Sequence, residues 1–345
     1  MEQNLIFTND VKAAIERLEH DIDHNLTVWI ADVNTAHLID PAPHHLTTMP
    51  DGDAHKTLET VVHVWDEMEH LGVTRHSLII NLGGGMVTDL GGWAAATFKR
   101  GVRFINVPTT LLGAVDAAVG GKTGFNYHGL KNEIGAIAPA SDVIISTCFF
   151  DTLPVEEMKS GFAEALKHAM LDDRDEFLLL LDHDFYAPIE HDTLLERLRR
   201  SVQVKADIVA ADPRERGKRK ALNLGHTVGH AFESLALTRG KPIPHGYAVA
   251  WGLVAESVLS HIKLGFPSRD IHHLGHFVRE NYLGFPFTCD DYDELLALMR
   301  HDKKSHDGEI TCTLLTAIGD YRIDQTVTDD DMKAALDILR DLLDV

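Results

Sequence analysis

The chain has 345 residues, enough at about 150 residues per domain for two domains with separate hydrophobic cores. Apolar residues at 44% and charged residues at 25% are ordinary globular proportions and exclude a low-complexity or disordered chain. Against 53 aspartates and glutamates stand 32 lysines and arginines, and the resulting charge of −21 repels a phosphate backbone and excludes general nucleic-acid binding.

In chain order, residues 11–19 and 56–71 carry helical spacing, and residues 27–33 (TVWIADV), 77–82 (SLIINL), 102–107 (VRFINV) and 142–146 (DVIIS) read as strands. Their mostly apolar character predicts strands covered on both faces and hence a largely parallel sheet, an α/β nucleotide-binding half. From about Leu153 the pattern turns helical, over residues 155–171, 194–211, 220–237 and 247–264, with only 309–317 reading as extended. The expected domains are therefore 1–152, α/β, and 153–345, mostly α-helical. Three scattered cysteines without CxxC spacing suit a reducing cytoplasm. The amino terminus has no signal-peptide pattern, and the nearly apolar stretch 248–259 is too short for a membrane span and contains Glu256. A cytoplasmic protein with neither membrane nor nucleic acid as partner is expected.

Three strings invite chemistry. GGGMVTDLGG follows the strand 77–82 directly, where glycines let a backbone approach a pyrophosphate and a helix amino terminus favours negative charge. The GxGxxG fingerprint is not met, because Thr88 takes the third glycine position, so a tight strand-to-helix turn is an equal reading. VPTTLLGAVDAAVGGKTGFN places Asp116 in an apolar stretch and Lys122 after a glycine pair, either a phosphate-seeking point charge or a solvated turn. HTVGH puts His226 and His230 on one helical face at zinc-binding spacing, although 22 histidines make chance pairs common. Glu164 and Lys167, three residues apart on another helix, read as a surface ion pair. Lys205, Arg219, Asn223, Lys303 and Lys304 read as solvated groups.

Taken together, the ordered segments PDGDAHKTLE, GGGMVTDLGGWAAATFKRGVRFINVPTTLLGAVDAAVGGKTGFN, LKNEIGA, LPVEEMKSGFAEALKHAM, LNLGHTVGHA, PHGYAVAWG and DKKSHDG resemble the 3-dehydroquinate synthase family over residues 31–319. The resemblance implies an amino-terminal α/β NAD-binding domain, an α-helical metal- and substrate-binding domain, and an active site in the cleft between them. It implies an NAD- and zinc-dependent carbon–oxygen lyase of the shikimate pathway, leading to chorismate and the aromatic amino acids, with cobalt as a possible replacement for zinc. The substrate would be 3-deoxy-D-arabino-heptulosonate 7-phosphate. Transient oxidation, phosphate elimination, reduction, ring opening and aldol closure would give 3-dehydroquinate with no net redox change.

Carried over residue by residue, the resemblance places the metal on Glu164, His226 and His245, and makes His230 a phosphate contact. NAD would meet Asp32, Asn34, Asp51, Asp53, Lys56, Gly85, Met86, Val87, Thr88, Asp89, Thr109, Thr110, Lys122, Lys131, Phe149, Phe150, Asp151 and Thr152. Substrate would meet Asp116, Lys122, Asn132, Lys167, Lys205, Arg219, Asn223, His230 and the pair Lys303 and Lys304. Arg100 would reach the partner's phosphate site, implying a homodimer. The alternatives are related sugar phosphate cyclases of the 2-deoxy-scyllo-inosose or 2-epi-5-epi-valiolone synthase type, and a metal-dependent polyol dehydrogenase. The cyclases' substrates lack the carboxylate that Lys205 and Arg219 would hold.

Overall fold

In the computed structural model, which describes residues 3–39, 45–128, 130–301 and 309–344, the chain divides into two units. One is Met1–Pro154 with Pro188–Ala206, the other Val155–Ala187 with Asp207–Val345. The chain thus returns once to the first unit after leaving it.

The first unit contains β1 (Asn4–Phe7), α1 (Val11–Asp21), β2 (Thr27–Asp32), β3 (His45–Met49), α2 (Leu58–His70), β4 (Leu78–Gly83), α3 (Gly85–Thr97), β5 (Arg103–Pro108), β6 (Lys122–Tyr127), β7 (Leu130–Ile137) and β8 (Asp142–Ile145). Six strands form a sheet in the order β1-β8-β5-β4-β2-β3, with every neighbouring pair parallel. Burial on both faces explains the mostly apolar runs of β2, β4 and β5. On one face Ala14, Ile15 and Leu18 of α1 cover Trp29, Leu78, Ile80 and Ile105. On the other, Asn81 and Asn106 face each other across β4 and β5 in a buried amide hydrogen bond of 2.9 Å. Gly91 of α3 packs on that pair, where a Cβ would come within 2.2 Å of the Asn81 Oδ1. β6 and β7 form a separate antiparallel hairpin.

After α4 (Val155–Asp172) and α5 (Arg174–Leu181), α6 (His191–Ala211) lies mostly in the returning segment. The second unit continues with α7 (His226–Thr238), α8 (His245–Leu264), α9 (Ser268–Asn281), α10 (Tyr292–His301), β9 (Ile310–Ala317), β10 (Asp320–Val327) and α11 (Asp329–Leu343). Residues Met158–Leu171 of α4 and Gly246–Ser260 of α8 are buried without interruption, so these helices sit inside the unit, and the charged side chains they carry, among them Glu164, Lys167 and Glu256, are buried with them.

The helical pattern over 220–237 resolves into a short 3₁₀ turn, Lys218–Asn223, then a break at Gly225 (φ +80) before α7 begins. The extended stretch 309–317 acquires a partner strand, β10, through a turn at Gly319 (φ +83). Among the described residues, no helix is long and apolar enough to cross a membrane.

Candidate active site

In the first unit the sheet's carboxyl edge carries the glycine turn. β4 ends at Gly83, and Gly84 precedes α3 without a side-chain cap. The first-turn amides of Gly85, Met86 and Val87 have no acceptor within the helix, which suits them to an anion. The glycines are needed: a Cβ on Gly83 would lie 2.4 Å from the Val87 Cγ2, and one on Gly84 would lie 3.0 Å from Thr110. Thr88 turns its hydroxyl back to the Gly85 carbonyl at 3.1 Å, a hydrogen bond that a glycine there would lack. Thr109 donates its amide to Gly83, and the Thr110 hydroxyl accepts the Gly113 amide at 3.0 Å. That bond starts a π-helical turn, Gly113–Ala117, which carries Asp116.

Two buried lysines follow, each making two polar contacts. Lys56, buried, donates to Asp89 Oδ2 and to Asn132 Oδ1, each at 2.5 Å, with Asn132 in the left-handed region (φ 50). Burial pushes the Asp89 carboxyl up, against the Lys56 ammonium and with help from Asp116. Lys205, buried on α6, donates to Asp116 at both the carbonyl (2.5 Å) and Oδ1 (2.6 Å).

Around these, Asp32 Oδ1 accepts from the Asn34 and Thr35 amides, Asn34 bonds Asp51 at 3.0 Å, and Lys131 lies 3.6 Å from Asp53. Lys122 is exposed at the start of β6. Phe149 precedes the 3₁₀ turn Phe150–Thr152, in which Phe150 is buried and Asp151 pairs with His191 at 3.2 Å. Arg100 is exposed in a strained turn, with Lys99, Arg100 and Gly101 at φ 48, 67 and 117.

In the second unit, Glu164 on α4, His226 at the first position of α7 and His245 at the first position of α8 bring one ligand atom each within 4.8 Å of the others. Both imidazole Nε2 atoms stand 3.3 Å from Glu164 Oε1, a buried oxygen on which the two rings converge. The other carboxylate oxygen, Oε2, pairs with Lys167. Glu164 and Lys167 are 0% and 1% exposed, so their three-residue spacing marks a buried ion pair and not a surface one. Although burial works to raise it, the Lys167 ammonium and His226 hold the Glu164 carboxyl well below the usual range.

His226 Nδ1 donates to the Leu224 carbonyl at 3.1 Å, which leaves Nε2 as the bare nitrogen. Burial, with Lys167 nearby, lowers its pKa to about 4 despite Glu164. His245 Nδ1 donates to Glu233 Oε2 at 3.3 Å, and Glu233 and Glu164 outweigh burial to push this imidazole up to about 10. A metal ion entering here at pH 7 must therefore displace the His245 proton but none from His226. We expect apparent metal affinity to rise about tenfold per pH unit across neutrality, with one proton released per ion. Calorimetry in buffers of different ionisation enthalpy measures that number, and zero protons would contradict the charged His245.

The metal-set geometry separates His226 from its helical neighbour. His230 lies 5.3 Å from His226, ring to ring, and with Glu233 and His245 makes a second possible ligand group on the other side of His245. Glu233 falls three residues after His230 on the same face of α7; the spacing signal was present in HTVGHAFE. Arg219 is buried and donates to the Pro213 carbonyl at 3.0 Å, and Asn223 donates to Glu215 at 2.9 Å. Asp212 shapes this loop by accepting the Arg216, Gly217 and Arg219 amides, and those bonds, Arg216's first, hold its carboxyl low. Glu215, Glu233 and Asp212 thus join the site without having been singled out in the sequence. Lys303 and Lys304 lie outside the described residues.

Two family models match in tandem, "3-dehydroquinate synthase N-terminal" over residues 46–160 and "3-dehydroquinate synthase C-terminal" over residues 161–305. A 3-dehydroquinate synthase from Parabacteroides distasonis is 41% identical over 99% of this chain and 98% of its own length. Among solved structures, 2-epi-5-epi-valiolone synthase from Streptomyces hygroscopicus subsp. jinggangensis, with NAD+ and Zn2+ bound, superposes with a TM-score of 0.86. It is 27% identical and is covered over 97% of its length by 99% of this chain. A 2-deoxy-scyllo-inosose synthase complexed with carbaglucose-6-phosphate, NAD+ and Co2+ shares the fold at a TM-score of 0.82 and 23% identity, with 98% and 96% coverage.

Proposed function

The chain belongs to the 3-dehydroquinate synthase family, and from that premise we propose that it converts 3-deoxy-D-arabino-heptulosonate 7-phosphate to 3-dehydroquinate and phosphate, using NAD and a divalent metal. The observation that carries the reading is the convergence of Glu164 Oε1 with the Nε2 atoms of His226 and His245. Two imidazoles and one carboxylate are a donor set for zinc, or for cobalt, that leaves coordination positions open for substrate oxygens. When bound, the metal supplies a Lewis acid for the substrate hydroxyls and NAD a reversible two-electron acceptor, which acidifies the carbon next to the oxidised one.

The chain's own residues bind and orient. Arg219, with a planar fork of donors, and Lys205, with a point charge, are assigned the carboxylate. Asn223, His230 and Asn132 are assigned the phosphate, with Lys303 and Lys304. Lys167 balances Glu164 and brings a cation to the reacting hydroxyls. The α3 amino terminus, Thr109, Thr110, Lys56, Asp89 and the exposed Lys122 and Lys131 are assigned to NAD, with Asp32, Asn34, Asp51, Asp53 and residues 149–152 around it. A homodimer with Arg100 at the partner's phosphate is part of the proposal, as is a cytoplasmic location, where the free thiols of Cys148, Cys289 and Cys312 would persist.

The test is phosphate release from the heptulosonate phosphate with and without a chelator, following reduced nicotinamide alongside. Release that is lost on chelation, without accumulating NADH, is expected. Turnover only of a heptulose phosphate lacking the carboxylate would move the chain to the other cyclases, and steady NADH production would make it a dehydrogenase.

Removing one charged hydrogen-bonding partner of the substrate costs about 1.5–3 kcal/mol, roughly 10- to 150-fold. Arg219→Ala should therefore raise KM and lower kcat/KM by that factor. His230→Ala should weaken phosphate binding to a similar degree at unchanged metal content. Metal loss in the His230 variant would transfer the ion to the His230, Glu233 and His245 group.

A further inference from the structure

Between Gly246 and Ser260, α8 is buried throughout and carries a single acidic or basic side chain, Glu256, itself fully buried. Its carboxylate does not act on the substrate groups assigned above. Oε2 accepts the Gly225 amide at 2.7 Å, and Oε1 accepts the Val228 amide at 3.3 Å. These are amides at the start of α7, a helix with no side-chain cap of its own, so its cap is supplied by a neighbouring helix. A carboxylate there also meets the positive end of the helix dipole.

Two glycines permit the approach: a Cβ on Gly252 would fall 1.9 Å from the Gly225 carbonyl oxygen, and one on Gly225 would fall 2.8 Å from Leu253. The peptide gripped in this way joins Leu224 to Gly225. Its N–H is held by Glu256, and its C=O is the acceptor for His226 Nδ1. Because a peptide unit is rigid and planar, fixing the N–H fixes the carbonyl that selects the tautomer and orientation of the His226 ring.

We propose that Glu256 is a positioning residue for His226, holding its Nε2 toward Glu164 through the Leu224–Gly225 peptide; this rests on the metal assignment made above. Glu256→Gln keeps the size of the side chain but turns an amide donor toward one of the two backbone donors.

The experiment measures zinc affinity by chelator competition for the parent, Glu256→Gln, His226→Ala and the double variant, with circular dichroism as a control for folding. Supporting residues behind a metal ligand are worth about 10- to 100-fold in affinity. We expect a loss of about tenfold for Glu256→Gln in the parent and less than about twofold in the His226→Ala background. Parent-like affinity, or the same loss in both backgrounds, would overturn the proposal. A parent that binds no zinc, or a His226→Ala variant that binds it undiminished, would instead overturn the metal assignment. Amide exchange on the unaltered chain supplies a reading that does not depend on the variant's folding: Gly225 and Val228 should be as protected without zinc as with it, and rapid exchange there in zinc-free protein would also sink the idea.

Discussion

Glu164→Gln is expected to lower zinc affinity by at least a hundredfold and kcat/KM by about a thousandfold, the several kcal/mol that a Lewis acid supplies. The glutamine fills the same space but brings a neutral oxygen, or an amide donor, to the point where both imidazoles converge at 3.3 Å. It also removes the Glu164 charge from the side of Lys167, in a setting where that ammonium is 1% exposed. Breaking a buried pair by neutralising one partner costs about 3–5 kcal/mol. The thermal midpoint should therefore fall even in metal-free protein, which separates the loss of the ion pair from the loss of the metal. Metal content by atomic absorption and the midpoint with and without chelator measure the two effects. A Glu164 variant that keeps its zinc would relocate the ion to His230, Glu233 and His245, a group within ligand distance that does not use Glu164.

The parts of this site that were legible in the sequence are those set by local periodicity. Apolar β-branched runs gave four of the six strands of the parallel sheet, because strands buried on both faces need no polar alternation. β10 (DYRIDQTV) carries the other strand signal, period-two alternation of exposed polar residues with inward Tyr321, Ile323 and Val327, and it is weakened by the polar Gln325 on the inward side. The return of Pro188–Ala206 to the first unit leaves no mark, since a helical pattern does not name its partner. Spacing pairs His226 with His230 because both lie on one helix. The partners that converge on His226 Nε2 come from the interior of α4 and the start of α8, a relation that only tertiary packing creates. Glu256 entered the sequence reading only as a charge that argued against a membrane span; its contact with the Gly225 and Val228 amides belongs to the crossing of α7 and α8.

That dependence on helix crossings makes one methyl group decisive. A Cβ on Gly246 would lie 1.9 Å from the Ser160 carbonyl oxygen and 2.5 Å from the Ser160 carbonyl carbon and Cα. All three are backbone atoms of α4, so no rotamer change relieves the clash. In Gly246→Ala the start of α8 must move away from α4 by about 1 Å or more, breaking the 3.1 Å bond from the Gly246 amide to Ser160 Oγ. His245 is the residue before Gly246, and Glu164 lies one helical turn beyond Ser160, so the same displacement pulls two of the three metal-binding atoms apart. A misplacement of about 1 Å at a catalytic group costs roughly a hundredfold in rate, and overpacking of this kind about 1–3 kcal/mol in stability. Gly246→Ala should therefore lose zinc and at least a hundredfold in kcat/KM, with a lowered thermal midpoint. Gly275→Ala is the matched control. Inside α9 its Cβ would meet Leu342 at 3.4 Å, an ordinary contact, and alanine is the better helix former by about 0.8–1 kcal/mol. That variant should keep its zinc and its rate and melt no lower than the parent; if Gly246→Ala behaved in the same way, the close packing of α8 on α4 would not be what holds Glu164 and His245 together.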